Sequence, residues 1–204
     1  MKVKQLKIVL FLSLLCTLFF KGEVNNTAQL IRDYTSIKYP SENLETLIYV
    51  GIKRQKLYLL KGENIILEFD VSTAKYGAGC QKGSEKTPVG LHEVRRKIGN
   101  NVPLGGAFEY QKFKGEIAEI NQTKQPTKED YILTRILTLR GLEDGINKGQ
   151  DVDSYERAIY IHGTADEGLI GTPASHGCVR MRNEDIITLF NEIEEGVKVI
   201  LFNN

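Results

Sequence analysis

Cysteine is almost missing from this chain: 204 residues hold only Cys16, Cys80 and Cys178. Cys16 falls in an apolar leader, so the remainder allows at most one bridge and no disulfide framework. A basic surplus is missing too. The formal charge is +1, but residues 1–21 carry four lysines and no acid, leaving 23 basic against 26 acidic residues beyond them. That balance is no nucleic-acid footprint, and no nucleic-acid partner is expected. Internal repeats are absent as well. Histidine is as scarce as cysteine, at three residues: His92, His162 and His176.

What is present begins with an export-type leader. Lys2, Lys4 and Lys7 precede the uncharged run IVLFLSLLCTLFF, Ile8 to Phe20. A basic start and an apolar run of this length read as a secretory signal. As a helix the run spans about 20 Å, short of a hydrocarbon core of about 30 Å. No Ala-x-Ala pattern follows Phe20, so an uncleaved anchor through residues 8–20 stands beside cleavage. Cys16 follows Leu15 rather than a small residue, which disfavours lipidation there. The expected location is outside the cytoplasm, in the periplasm or cell envelope. The expected organisation is 1–21 signal or membrane anchor, 22–43 linker and 44–203 a single catalytic domain.

From Leu44 the pattern is short β-type runs. TLIYVGI, QKLYLLK, IILEFDVST, LHEVRRK, YILTRILTLR, RAIYIHG and VKVILF are rich in β-branched and aromatic residues. Two loops separate them. YGAGCQKGSEKTPVG, Tyr76 to Gly90, holds four glycines and a proline, and Gly115 to Asp130 is polar. The one clear helix is NEDIITLFNEIEEG, with Ile186, Leu189, Phe190 and Ile193 at helical spacing and Asn183 placed to cap it. The expected fold is mainly β, about eight strands with that C-terminal helix.

The chemistry concentrates in SHGCVRM, Ser175 to Met181, and in IYIHGT, which places His162 fourteen residues before His176. A thiol of pKa about 8.5 is only slightly ionised at neutral pH. An adjacent imidazole removes that proton and later returns it to a leaving amine. His162, at the end of a predicted strand, is the better-placed base. His176 and Cys178 are an i, i+2 pair that shares one side of an extended chain. Gly177 lets the backbone approach a carbonyl, and its N–H with that of Cys178 suits an oxyanion hole. Arg180 offers a fixed charge for a carboxylate. His92, in GLHEVRR, reads as a structural histidine. A zinc site has candidate donors in His162, His176, Cys178 and Asp166, but His-x13-His-x-Cys matches no structural zinc spacing. No metal and no cofactor are expected.

IHGT followed by SHGCVRM resembles the active-site signature of the L,D-transpeptidases, the YkuD-type catalytic domain. KLYLLKGENIILEFDVSTAKYG is similar to that family's opening strands. GSEKTPVGLHEV is similar to its Thr-Pro-x-Gly loop, and MRNEDIITLFNEIEEGVKVIL to its closing helix and strand. The resemblance covers about residues 44–202. It implies a β-sandwich-like domain and a cysteine acyl-enzyme acting on peptidoglycan stem peptides. Cys178 is then the nucleophile and His162 the general base. His176, Gly177, Ser175 and Arg180 form the substrate-binding set. The family cuts a tetrapeptide stem after the L centre of diaminopimelate, releases D-Ala and passes the acyl group to an amine. The product is a 3→3 cross-link, or attachment of an envelope protein or amino acid.

Water as acceptor makes the same enzyme an L,D-carboxypeptidase. A sortase-like transpeptidase also orders His, Cys and Arg this way, but its arginine lies further on and its Leu-x-Thr-Cys entry is missing here. A non-catalytic cell-wall-binding module is expected to lose Cys178 or His162, and both remain.

Overall fold

The computed structural model describes residues 26–204. The expected leader and Cys16 lie outside them. Among the described residues no helix is long and apolar enough to cross a membrane.

Ten strands form one sheet. They are β1 (Thr46–Gly51), β2 (Lys56–Lys61), β3 (Asn64–Asp70), β4 (Gly90–Ile98) and β5 (Gly106–Glu109). β6 (Lys112–Ile117), β7 (Ile132–Gly141), β8 (Tyr160–Thr164), β9 (Val179–Met181) and β10 (Lys198–Phe202) follow. The order is β3-β2-β1-β10-β4-β7-β5-β6, with β8 joined to β7 and β9 joined to β8. β1 runs parallel to β10, and β8 parallel to β9; the other pairs are antiparallel.

The central strands are apolar on both sides because both sides are covered. Successive side chains alternate faces. Ile48 and Val50 of β1, Leu57 and Leu59 of β2, and Val199 and Leu201 of β10 enter the larger core with Leu137, Ile161, Val179 and Met181. Leu47, Tyr49, Tyr58, Leu60 and Ile200 face the other way into a second core.

Each core has its own helix. α2 (Asn183–Glu192) supplies Ile186, Leu189 and Phe190 to the first, and Ile193 follows just past its end. Burying each such side chain stabilises by about 1.5–3 kcal/mol. The second core is covered by α1, residues 26–38, which lies within the stretch expected as a linker. Ala28, Ile31 and Thr35 recur at helical spacing and are buried. Tyr39, just after α1, donates its hydroxyl to Glu143 at 3.0 Å, tying this end of the chain to the sheet.

One local expectation is corrected, and one hairpin is added. Asn183 does not cap α2: the preceding residue, Arg182, stands at the cap position without a side-chain bond. Glu167 Oε1 takes the Asn183 N–H at 2.8 Å instead. Asn183 is buried and bridges α2 to the sheet, accepting from Thr134 Oγ1 at 2.5 Å and donating to the Thr164 carbonyl at 2.8 Å. The β5–β6 hairpin was not anticipated. Its turn uses Tyr110 and Gln111, both at positive φ, where the usual signal is Asn-Gly or Asp-Gly.

Candidate active site

β8 and β9 bring the two motifs side by side. Ile161 pairs with Val179, His162 with Arg180, and Gly163 with Met181. Cys178 therefore enters β9 level with Tyr160, and alternation puts Tyr160, His162, Cys178 and Arg180 on corresponding sides.

Gly163 has a packing reason. A Cβ there would stand 2.5 Å from Asn183 Oδ1 and 2.8 Å from the Leu133 carbonyl. Opposite it, β7 shifts register between Leu133 and Ile136. Thr134, inside that irregularity, has φ +68°, which is uncommon for a β-branched residue. A bulge re-aims the chain beside a site, and here Thr134 Oγ1 is pulled onto Asn183.

His162 is 2% exposed. Its Nδ1 lies 2.7 Å from the Gly163 carbonyl. A carbonyl only accepts, so Nδ1 carries the hydrogen and Nε2 is left with its lone pair. Burial lowers the His162 pKa, and the charge of Arg180 adds to this; Asp130 and the Gly163 carbonyl work the other way without reversing it. The imidazole is thus held neutral, as a proton acceptor.

Cys178 is half-buried and free. Its S–H points to the Ala158 carbonyl at 3.4 Å, and its sulfur accepts the Tyr160 N–H at 3.4 Å. Burial pushes the thiol up to about 11; Asp130 adds to that, while the Tyr160 N–H, Arg180 and Arg157 oppose it. The resting pair is a thiol and a neutral imidazole, not a preformed ion pair. Neither hydrogen-bond partner of the sulfur is His162.

The turn before Cys178 is stapled by Ser175. Its hydroxyl donates to the Cys178 carbonyl at 2.6 Å and accepts the Gly177 N–H at 3.2 Å. Gly177 sits at φ +134°, a conformation L side chains rarely adopt. Its N–H is already engaged. The N–H of Cys178 has no hydrogen-bond partner among the described residues.

His176 and Arg180 meet on a carboxylate that the sequence did not single out. His176 is exposed, with Nδ1 2.9 Å from Asp130 Oδ2. Arg180 is buried, with Nη2 2.5 Å from the same oxygen and Nη1 3.8 Å from Asp166 Oδ2. Burial works against the Asp130 charge, but Arg180, His162 and His176 together hold its carboxyl below the ordinary range. Asp166, a candidate zinc donor by residue type, accepts the Thr127 N–H at 2.9 Å.

A family model described as the L,D-transpeptidase catalytic domain, YkuD, matches residues 45–201. The chain belongs to the L,D-transpeptidase family. Over 84 residues it is 32% identical to the putative L,D-transpeptidase YkuD of Bacillus subtilis (strain 168), covering 39% of this chain and 46% of that protein. Over 43 residues it is 51% identical to the probable L,D-transpeptidase YbiS of Escherichia coli (strain K12), covering 21% of this chain and 14% of that protein. The chain thus spans less than half the length of either curated relative. The solution structure of the catalytic domain from the E. faecium L,D-transpeptidase aligns with 79% of this chain and 100% of its own, at 18% identity and a TM-score of 0.45.

In this L,D-transpeptidase domain a cavity of about 330 Å³ adjoins the motif, bounded by Lys75, Lys128, Asp130, Asp166, His176 and Arg180. The Arg180 charge is met by two internal carboxylates. Lys75 and Lys128 make no ion pair among the described residues, so they set the sign at the cavity mouth.

The remaining sequence candidates fall elsewhere. His92 is fully buried between the Gly90 carbonyl at 3.0 Å and Ser154 Oγ at 2.9 Å, and burial lowers its pKa to about 4. Cys80 is a free thiol that accepts the Val89 N–H at 3.4 Å. Asp130 was missed because it lies at the end of a polar loop with no motif around it. Only folding lays that loop against β8.

Proposed function

We propose that this domain carries out L,D-transpeptidation on peptidoglycan tetrapeptide stems, with Cys178 as nucleophile and His162 as general base and acid. The observation that supports it best is the pairing of β8 with β9. It sets a buried, neutral imidazole of fixed tautomer beside the strand that Cys178 opens.

In the reaction His162 Nε2 takes the thiol proton as Sγ attacks the carbonyl at the L centre of diaminopimelate. The carbonyl oxygen becomes an oxyanion, met by the free N–H of Cys178. Collapse breaks the C–N bond, and the imidazolium returns its proton to the departing amine of D-Ala. An acceptor amine then attacks the thioester, gives its proton to His162 and releases Cys178 as thiol. Asp130 orients His176 beside the cleft and faces the Arg180 charge. The substrate-binding part is played by the Ser175–Gly177 turn, His176 and the cavity that Arg180 closes from beneath. Lys75 and Lys128 draw a stem carboxylate to its mouth.

The setting is outside the cytoplasmic membrane. The supporting feature is the basic, then apolar, leader of residues 1–21, acting as export signal or anchor.

The test is incubation of the full chain with a purified tetrapeptide stem, followed by intact-mass and peptide mass spectrometry. The expected result is free D-Ala and a stem acyl group on Cys178, discharged by added amine. Turnover with no adduct on Cys178, or cleavage at another bond, would overturn the reading. The product also identifies the acceptor, since a hydrolysed tripeptide marks water and a joined product marks an amine.

A further inference from the structure

Arg157 belongs to none of the motifs, yet it binds the glycine-rich loop and stands next in the chain to the residues that hold the Cys178 sulfur. Its Nη1 donates to the Cys80 carbonyl at 2.8 Å and the Gly79 carbonyl at 3.3 Å, and its Nη2 donates to the Lys86 carbonyl at 2.6 Å. That Lys86 carbonyl lies against the nucleophile turn, 3.4 Å from where a Cβ on Gly177 would stand. The residues just after Arg157 hold the sulfur itself. Ala158, at φ +54°, presents its carbonyl to the Cys178 thiol, and Tyr160 gives its N–H to the sulfur.

We propose that Arg157 is a positioning residue for Cys178, pinning the 79–86 loop against the Gly177–Cys178 turn and supplying the positive potential in which the thiolate forms. The planar fork fits this double task. It reaches carbonyls at both ends of the loop at once, which an ammonium on a flexible stem does not do. The carbonyls take its hydrogen bonds but not its charge, and no carboxylate among the described residues forms an ion pair with it. The charge is left to act on its surroundings. A guanidinium near a cysteine favours the thiolate, and Arg157 works in that direction on Cys178 against the larger effect of burial.

The inference rests on Cys178 being the nucleophile; its electrostatic part is tested by alkylation, without turnover, and only its positioning part by kcat/KM. The full-length wild type, Arg157→Met and Arg157→Lys are alkylated with neutral iodoacetamide and with anionic iodoacetate. The Cys178 peptide is followed by mass spectrometry. Loosening of structure changes both rates alike, whereas loss of a nearby positive charge slows the anion further. Arg157→Met is expected to lower the iodoacetate-to-iodoacetamide ratio roughly threefold, as for one charge several ångströms away in a largely aqueous dielectric. Arg157→Lys is expected to keep the ratio and lower kcat/KM about tenfold through the lost fork. A wild-type ratio in Arg157→Met overturns the electrostatic part, and wild-type kcat/KM in Arg157→Lys overturns the positioning part. Arg157→Gln, which keeps a donor amide, replaces Arg157→Met if the latter fails to fold.

Discussion

The two histidines of the candidate site are held in opposite ways. His162 sits inside a strand paired on both sides, to β7 and to β9, and is almost fully buried. His176 is exposed on a turn, and its one ring partner is a carboxylate from a distant loop. The sheet fixes the first by backbone hydrogen bonds, which any sequence able to form the strands would make. Side chains fix the second region: Ser175 across the turn, Asp130 under His176, and Arg157 behind the neighbouring loop. On the proposed reading His162 is the general base, which has to stay in place while bonds change around it, and the sheet provides that. On the same reading the Cys178 thiol exchanges its Ala158 carbonyl partner for substrate, beside a turn held by a few replaceable contacts.

The largest expected effect removes the proposed nucleophile that stands between the two histidine regions. Cys178→Ala should reduce transpeptidation to the uncatalysed level while the thermal unfolding midpoint stays close to wild type. Residual activity within a factor of ten of wild type would remove the thiol from the mechanism.

His162→Ala should slow acylation by about 10²–10⁴-fold, the usual range for a general base. His176→Ala should cost far less, measured as the single-turnover rate of acyl-enzyme formation. The reverse order would mean that the exposed imidazole, not the strand-held one, takes the proton.

Ser175→Ala breaks the turn without touching the strand. It removes two hydrogen bonds from one hydroxyl and should lower kcat about tenfold. Arg180 and His162 stay in place, so KM should change less than kcat. A larger change in KM would show that Ser175 contacts substrate directly.

The comparison also has a pH form. The His162 pKa is lowered by burial, so the base stays neutral below the ordinary histidine value of about 6.5. The acid limb of kcat/KM should therefore fall below that pH, with activity retained above it. Asp130 is also depressed, so its pairing with His176 and Arg180 is complete above the unfolded carboxyl value of about 3.9. That stabilisation is lost as pH falls through the lower folded value. An acid limb centred above 6.5 would contradict the buried, neutral imidazole.

The smallest effect belongs to the cavity mouth. Lys75→Ala with Lys128→Ala should raise KM two- to fivefold and leave kcat near wild type, since exposed charge contacts are each worth roughly 0.2–1 kcal/mol. The difference should shrink as salt is added. A KM that ignores both the substitutions and the salt would place the stem carboxylate elsewhere.

Much of this molecule was legible in the residue order. Seven of the ten strands and α2 follow from local pattern, because alternation and helical spacing are short-range properties that do not depend on the rest of the chain. The motif residues His162 and Cys178 stood out through rarity and the glycines beside them. The β5–β6 hairpin did not, since its turn takes positive φ from Tyr110 and Gln111 rather than from glycine. α1 was hidden in a polar, mixed segment, as only one of its faces is apolar. The role of Asn183 was hidden too, because a helix-start asparagine looks the same whether it caps the helix or bridges to a strand. Sequence alone determined which residues were available for chemistry and where most strands run, since both depend on side-chain type and near-neighbour spacing. Tertiary structure alone decided that Asp130 lies under His176 and Arg180, that Arg157 reaches the carbonyls of Gly79, Cys80 and Lys86, and that the His162 imidazole is neutral. Each of those depends on groups 20 to 80 residues apart meeting at hydrogen-bond distance, or on burial, and neither is written in local order.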